Sequence, residues 1–373
     1  MSNIKYVTLS AVCDYCSDRV SATSVTVNNY ISTENMLPNK GGIEAADSVP
    51  ELRTFSGYSA GDILLSNIRP YFQKIWFADR SGGCSNDVLV LRAKENTDAK
   101  FLYYVLSDNN FFNYDTVTSK GTKMPRGSKP AIMKYLVPDI DLPIQKRIAD
   151  IFSAYDNLIE NNNRRIALLE KAARELYKEW FVRFRFPGYE TVMFEDGLPV
   201  GWTIRKLETV SDFVYGKLPE QGKIVSEGYP IFTGYRVSGY YNDYMFSEPM
   251  LIVVARGVGG TGDVKLSPEN SFITNLSIIF LLYKPDLHKQ YLYQMFSIQN
   301  LRYLDTGAAQ SQITIDNLKS VKVIIPSDPL LVQYNNFAAP ISHEIELLRK
   351  KNQNLARQRD LLLPRLMSGK LEV

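Results

Sequence analysis

Histidine and cysteine are almost missing: the 373-residue chain has two of the first and three of the second. So few histidines argue against His-rich metal sites and repeated acid–base pairs, and three cysteines cannot close a disulfide framework. Long apolar runs are lacking too. The longest, Leu251-Ile252-Val253-Val254-Ala255 and Ile278-Ile279-Phe280-Leu281-Leu282, fall far short of the ~20 residues that span a bilayer. Met1-Ser2-Asn3-Ile4-Lys5 has no charged stretch leading into an apolar one, so no secretory signal is expected and a reducing cytoplasm is the natural home. Excess charge is also absent. With 43 Lys+Arg against 40 Asp+Glu, a net +3 neither names nor excludes a nucleic-acid partner, because only clustered cations create a useful field.

Catalytic signatures are scarce. No Gly-x-x-x-x-Gly-Lys-Ser/Thr occurs, which excludes a P-loop nucleotidase. There is no Asn-Pro-Pro-Tyr or Asp-Pro-Pro-Tyr run to orient an exocyclic amine for methylation. Gly257-Val258-Gly259-Gly260-Thr261-Gly262 fits a dinucleotide pattern, but Asp263 through Asn270 read as strand and turn where a helix is required. Cys13-Asp14-Tyr15-Cys16 stands alone, with Cys84 the one other thiol and no histidine near, so buried, unreactive thiols are expected. Asp98-Ala99-Lys100 fits a minimal nuclease fragment no better than chance would.

What is present is length, apolar content and repetition. At ~150 residues per domain the chain holds two or three domains, and 45% hydrophobic content gives each a core. Ile148, Phe152, Tyr155, Ile159, Asn162, Ile166, Leu169, Ala173, Leu176 and Trp180 follow one another at alternating spacings of four and three. Ile341, Ile345, Leu348, Asn352, Leu355, Arg359, Leu362 and Leu366 do the same. Such spacing keeps a seam facing a partner helix, whereas a surface helix drifts toward 3.6. A shift of 186 takes Ile159 to Ile345, Leu169 to Leu355 and Leu176 to Leu362, and a shift of 188 takes Pro138 to Pro326 and Gln145 to Gln333. The helices are therefore internal repeats behind Pro-rich hinges, each with a seam asparagine suited to fixing register. The plainer alternative is two helices that pack on separate globular cores.

Residues 1–142 and 187–326 carry short β-type runs such as Ile63-Leu64-Leu65 and Asp87-Val88-Leu89-Val90-Leu91, with one shorter helix each near Lys100–Ser107 and His288–Arg302. The organisation expected is α+β: two mixed α/β domains in tandem (1–142 and 187–326), separated by long helices (143–186 and 327–373) that form an antiparallel coiled coil with pseudo-two-fold symmetry. Before the first hinge, Lys120, Lys123, Arg126 and Lys129 lie in a loop interleaved with glycine and proline, suited to phosphates and base edges. The matching place in the second half offers Gln310 and Gln312, and glutamine can pair bidentately with adenine. Arg69 and Lys74 in the first domain, and Tyr235, Arg236 and Arg256 in the second, complete the candidate DNA contacts as cations or aromatics in expected loops. No residue is assigned a catalytic or metal-binding role.

These segments resemble the specificity subunits of type I restriction-modification systems. Leu198-Pro199-Val200-Gly201-Trp202, with Leu207 after it, looks like the opening of a target recognition domain. Gly61 through Pro70, and more loosely Met250 through Gly257, resemble its central strand and turn. Pro143-Ile144-Gln145-Lys146-Arg147-Ile148 resembles the start of the conserved helix, and Leu361 through Leu371 the family's ending. The first domain departs in lacking the Gly-Trp opening, and the second hinge has Tyr334-Asn335-Asn336 in place of Lys146-Arg147-Ile148. The resemblance implies two recognition domains that read a split target in double-stranded DNA, spaced by antiparallel helices, in the cytoplasm of a prokaryote. It implies a non-catalytic chain that binds no cofactor itself. Two modification subunits would bring S-adenosylmethionine, and restriction subunits ATP and magnesium. No membrane contact is implied. The rival reading is a coiled-coil scaffold with tandem protein-binding domains and no DNA contact, separable by salt-dependent DNA binding.

Overall fold

The computed structural model describes residues 5–257, 260–305 and 311–367. The chain forms two compact units, one running to Asn162 and resuming at Lys350, the other Asn163–Arg349. The first long helix, Leu142–Tyr177, and the second, Asp328–Met367, each contribute a segment to both.

In the first unit a helix-facing antiparallel sheet has the order Cys13–Tyr15, Val88–Ala93, Ile63–Ser66, Ile75–Phe77. Side chains alternate across a strand, and both faces of this sheet are covered. Ile63, Leu65, Leu89 and Leu91 join the core with Phe101, Phe152, Leu363 and Leu366. Leu64, Val88 and Val90 face the opposite way, onto Ile31, Tyr58 and Cys84 of an outer sheet. That double burial is why the sequence shows unbroken apolar runs here instead of alternation. The outer sheet has the order Arg19–Ser21, Thr54–Tyr58, Gly82–Cys84, Tyr30–Ile31, with the last pair parallel.

The second unit repeats the scheme. Its helix-facing sheet has the order Ser211–Tyr215, Ser277–Leu282, Leu251–Val254, Val264–Leu266. Leu251, Val253, Ile278 and Phe280 pack with Tyr291, Phe296 and Leu331, while Ile252 and Ile279 pack on Phe232 and Ile273 behind. In both units a short strand before the first sheet pairs with the strand that leads into a long helix: Lys5–Thr8 with Leu136–Asp139, and Thr203–Lys206 with Lys322–Ile325.

The long-helix segments run antiparallel within each unit. In the first, Asn162 Nδ2 donates to Asn352 Oδ1 (2.8 Å) and Arg359 donates to Asp156 (2.7 Å), whose other oxygen accepts from Tyr104 Oη at 2.7 Å. In the second, Arg165 pairs with Glu344 at 2.8 Å, while Trp180 meets Tyr334 with ring centroids 5.9 Å apart. Along the seams Ile148, Phe152, Asn162, Trp180, Ile345, Leu348 and Leu366 are buried, and Tyr155, Ile159, Ile166, Leu169, Leu176, Asn352, Leu355 and Leu362 are half-buried.

Three local expectations need correction. The first unit holds a second substantial helix, Asn109–Thr118, in a segment of weak helix formers. Its Asp108 cap and the burial of Phe111 and Phe112 supply what propensity does not. The expected match of Gln145 with Gln333 also fails. Gln145 is buried, accepting from Asp98 N and donating to Ile140 O, whereas Gln333 is exposed and Asn335 makes the bonds, to Asp286 O and Leu287 O. Finally, the first long helix ends in a π-helical turn, Lys178–Val182, that buries Trp180 and Phe181.

Candidate functional site

At the end of the central strand Ile63–Ser66 the chain turns through Asn67 to Gln73, and the basic loop meets it there. Arg69 N donates to Pro125 O (2.8 Å), Gly127 N to Asn67 O (3.0 Å), and Ile68 and Arg126 form a β-bridge. Lys120 and Arg126 exchange both backbone bonds, at 2.9 Å each, so the basic segment is a closed loop. It is not loop throughout: Lys129 opens the short helix Lys129–Ile132.

The second unit builds the same junction. Arg256, at the end of the central strand Leu251–Val254, bridges Gln312, and Ile313 N donates to Ala255 O at 2.9 Å. In sequence the partners stand in for one another, since 188 residues separate Ile68 from Arg256 and 186 separate Arg126 from Gln312. Two rims of one design thus carry cations in the first unit, a cation and an amide in the second.

Arg69 and Arg126 come together through the junction, and Arg126 Nη2 pairs with Asp87 at 3.1 Å. Lys120 and Lys123 are exposed on the same loop. The Lys129 ammonium lies 5.8 Å from the ring centroid of Tyr15, whose hydroxyl donates to Lys129 O. Lys74 is set apart. Its Nζ donates to Thr33 O at 2.6 Å and lies over the Phe72 ring, and burial pulls its pKa down, so it braces the turn. In the second unit Arg256 lies over the Tyr215 ring and Tyr235 Oη donates to Arg256 O, while Arg236 is exposed in the neighbouring turn. Gln312 N donates to Asp305 Oδ1 at 2.8 Å. Gln310 lies outside the described residues.

Sequence reasoning missed the acid beneath the first rim. Asp115, on the Asn109–Thr118 helix, is 0% exposed and neither carboxylate oxygen has a hydrogen-bond partner, nor does Asn67 Oδ1. Burial pushes the Asp115 carboxyl up to about 7. Gly127 closes the space: a Cβ there would lie 2.6 Å from Asp115 Oδ1 and 3.0 Å from Asn67 Oδ1. A lone acid in a segment rich in asparagine and threonine gives no signal by type or spacing.

The other motifs resolve into structure. Cys13 and Cys84 are buried in strands, where desolvation pushes both thiols up to about 12, and all three cysteines are free. Among the described residues no group of three His, Cys, Asp or Glu could hold a metal, and no helix is long and apolar enough to cross a membrane.

Two units whose helix-facing sheets share one strand order, each presenting a loop junction at the end of its central strand, define a tandem recognition protein. The profile of the Type I restriction modification DNA specificity domain matches residues 2–171 and 199–356. The chain therefore belongs to the type I restriction-modification DNA specificity family. It is 24% identical over 306 residues to the type I restriction enzyme MjaIX specificity subunit of Methanocaldococcus jannaschii, covering 75% of this chain and 71% of that one. It is also 24% identical over 389 residues to the MjaVIII specificity subunit of the same organism, covering 96% and 85%. A crystal structure of the type I restriction-modification S subunit from M. genitalium shares the fold, with a TM-score of 0.63 at 15% identity and coverage of 98% of this chain and 97% of that one.

Proposed function

We propose that the chain is the DNA-reading subunit of a prokaryotic, cytoplasmic type I restriction-modification complex, and that each rim reads one half of a split duplex target. The observation that carries this is the repeated junction: Ile68 with Arg126, and Arg256 with Gln312, at equivalent places in the two units. Cations there meet phosphates and guanine, and the amide matches adenine. The long helices offer the surfaces to which two modification subunits and the restriction subunits dock. Those partners bring S-adenosylmethionine, ATP and magnesium, and this chain contributes no catalytic group.

The test is methylome sequencing of a host with and without this chain, followed by Arg126→Ala and Gln312→Ala variants. Loss of one split, adenine-methylated motif, with each variant relaxing only one half-site, supports the reading. Equal loss at both half-sites counts against independent rims. No salt-dependent DNA binding by the assembled complex would favour the scaffold reading.

A further inference from the structure

Beside the basic loop, the first rim carries a feature its function as a set of cations leaves unused. Pro70, Tyr71 and Phe72 form one turn of 3-10 helix between Arg69 and Gln73, both in the left-handed region at φ 51° and 52°. Facing this turn, Asn39 and Lys40 are left-handed as well, at φ 55° and 60°. Non-glycine residues hold such conformations only where the surroundings impose them. Here the backbone is pinned from three sides. Asn39 N donates to Phe72 O and Lys40 N to Gln73 O, at 2.8 and 2.9 Å, Arg69 N donates to Pro125 O, and Ser66 N donates to Lys74 O at 3.0 Å.

What this scaffold holds is apolar and turned outward. Tyr71 is 50% exposed and Phe72 38%, with ring centroids 4.8 Å apart. Lys74 lies 5.9 Å from the Phe72 ring and braces it from below. Two aromatic rings on a rigid turn, continuous with a loop bearing Lys120, Lys123 and Arg126, form an apolar prong in a cationic setting. An apolar wedge between base steps, with phosphates neutralised alongside, is the chemistry that unstacks and kinks a duplex.

We propose that the Tyr71-Phe72 prong inserts at a base step of the half-site read by the first unit and opens that step. The inference deepens the DNA-reading function above and rests on it. It also makes the two half-sites unlike. The matching stretch of sequence in the second unit, Gly257-Val258-Gly259-Gly260, has no aromatic residue of its own, and Tyr235 lies against Gly257 and Gly260. Distortion is therefore confined to one half-site.

The experiment uses the complex of this chain with its modification subunits, and duplexes of the methylated target carrying 2-aminopurine at one position at a time. Away from the adenines that the modification subunits flip out for methylation, fluorescence with the native chain rises at one step, in one half-site only. The double variant Tyr71→Ala, Phe72→Ala loses that rise and binds about 10-fold more weakly, the scale of a lost stacking contact, while the footprint on the other half-site persists. Phe72→Tyr, which keeps the ring, retains the rise and so separates insertion from folding. The proposal is overturned if the double variant binds and unstacks as the native chain does. It is equally overturned if that variant reads DNA normally but loses its modification subunits, since the prong would then be a protein contact. Failure of the native complex to bind duplex DNA at all overturns the DNA-reading function itself, and the prong with it.

Discussion

The helix-facing sheets of the two units correspond strand for strand, whereas the outer sheets do not. Numbering the four outer strands of each unit in chain order, the first unit arranges them first-third-fourth-second and the second unit first-third-second-fourth. In both, the first and third pair antiparallel, and the second and fourth pair parallel. What differs is which strand joins the two pairs. In the second unit, Tyr229–Phe232 and Val237–Tyr241 are linked by a turn closed by Thr233 N donating to Arg236 O, so they pair directly. In the first, residues 32–53 separate Tyr30–Ile31 from Thr54–Tyr58, and no local hairpin forms. Gly82–Cys84 fills the gap because its glycines are small: a Cβ on Gly83 would lie 2.9 Å from Phe55 Cβ and 2.8 Å from Val25. The corresponding strand of the second unit, Phe272–Ile273, is bulky and stays at the edge. Sheets that carry the core hold their order, while sheets one layer out are rearranged by turn length and side-chain size.

The comparison breaks most severely inside the helix-facing sheets. Leu89 and Ile278 occupy equivalent core positions. Alanine at either should cost about 2–5 kcal/mol in urea unfolding followed by circular dichroism. A markedly smaller loss at one would mean that its unit has a looser core than the shared topology implies.

Gly127→Ala comes next. Its Cβ meets a carboxylate with nowhere to go, so a loss of about 1–3 kcal/mol is expected, along with relaxed methylation at the half-site of the first unit alone. Unchanged methylation would detach the loop from reading.

Asp115 sharpens the contrast further, since it sits beneath one rim only. Its carboxyl rises from 3.8 to about 7 on folding, so its contribution is fully present below pH 3.8 and is lost as pH rises toward 7. Asp115→Asn should flatten that part of the stability profile, at about 1.4 kcal/mol per pKa unit removed. An identical pH profile in both proteins would show that folding leaves the Asp115 carboxyl at its ordinary pKa.

The smallest effect concerns the seam. Asn162→Leu removes the bond that Asn162 donates to Asn352, at a cost of about 1 kcal/mol. Replacing both asparagines by leucine should recover it, with looser register visible in amide exchange near Asn162.

Much of the fold was legible because seams and doubly covered strands write themselves as spacing and as apolar runs. The 4-3 pattern from Ile148 to Trp180 and the run Asp87 to Leu91 are examples. The order of the outer strands was not, since it depends on how long residues 32–53 are relative to a four-residue turn, and on Gly83 meeting Phe55 across the sheet. Of the rims, Arg126, Arg256 and Gln312 were singled out by residue type, but that Arg126 meets Ile68 as Gln312 meets Arg256 is a tertiary fact. Asp115 and the left-handed setting of Tyr71 and Phe72 leave no periodic trace at all.

The two units divide the chain unequally. The second is a single stretch, Asn163–Arg349, whereas the first needs the segment from Lys350 onward, with Leu363 and Leu366 entering its core. As synthesis proceeds from the N-terminus, the half made first is the one finished last. Until the closing helix emerges, the apolar surface around Ile148 and Phe152 lacks the cover of Leu363 and Leu366, and the second unit is whole before the first is complete.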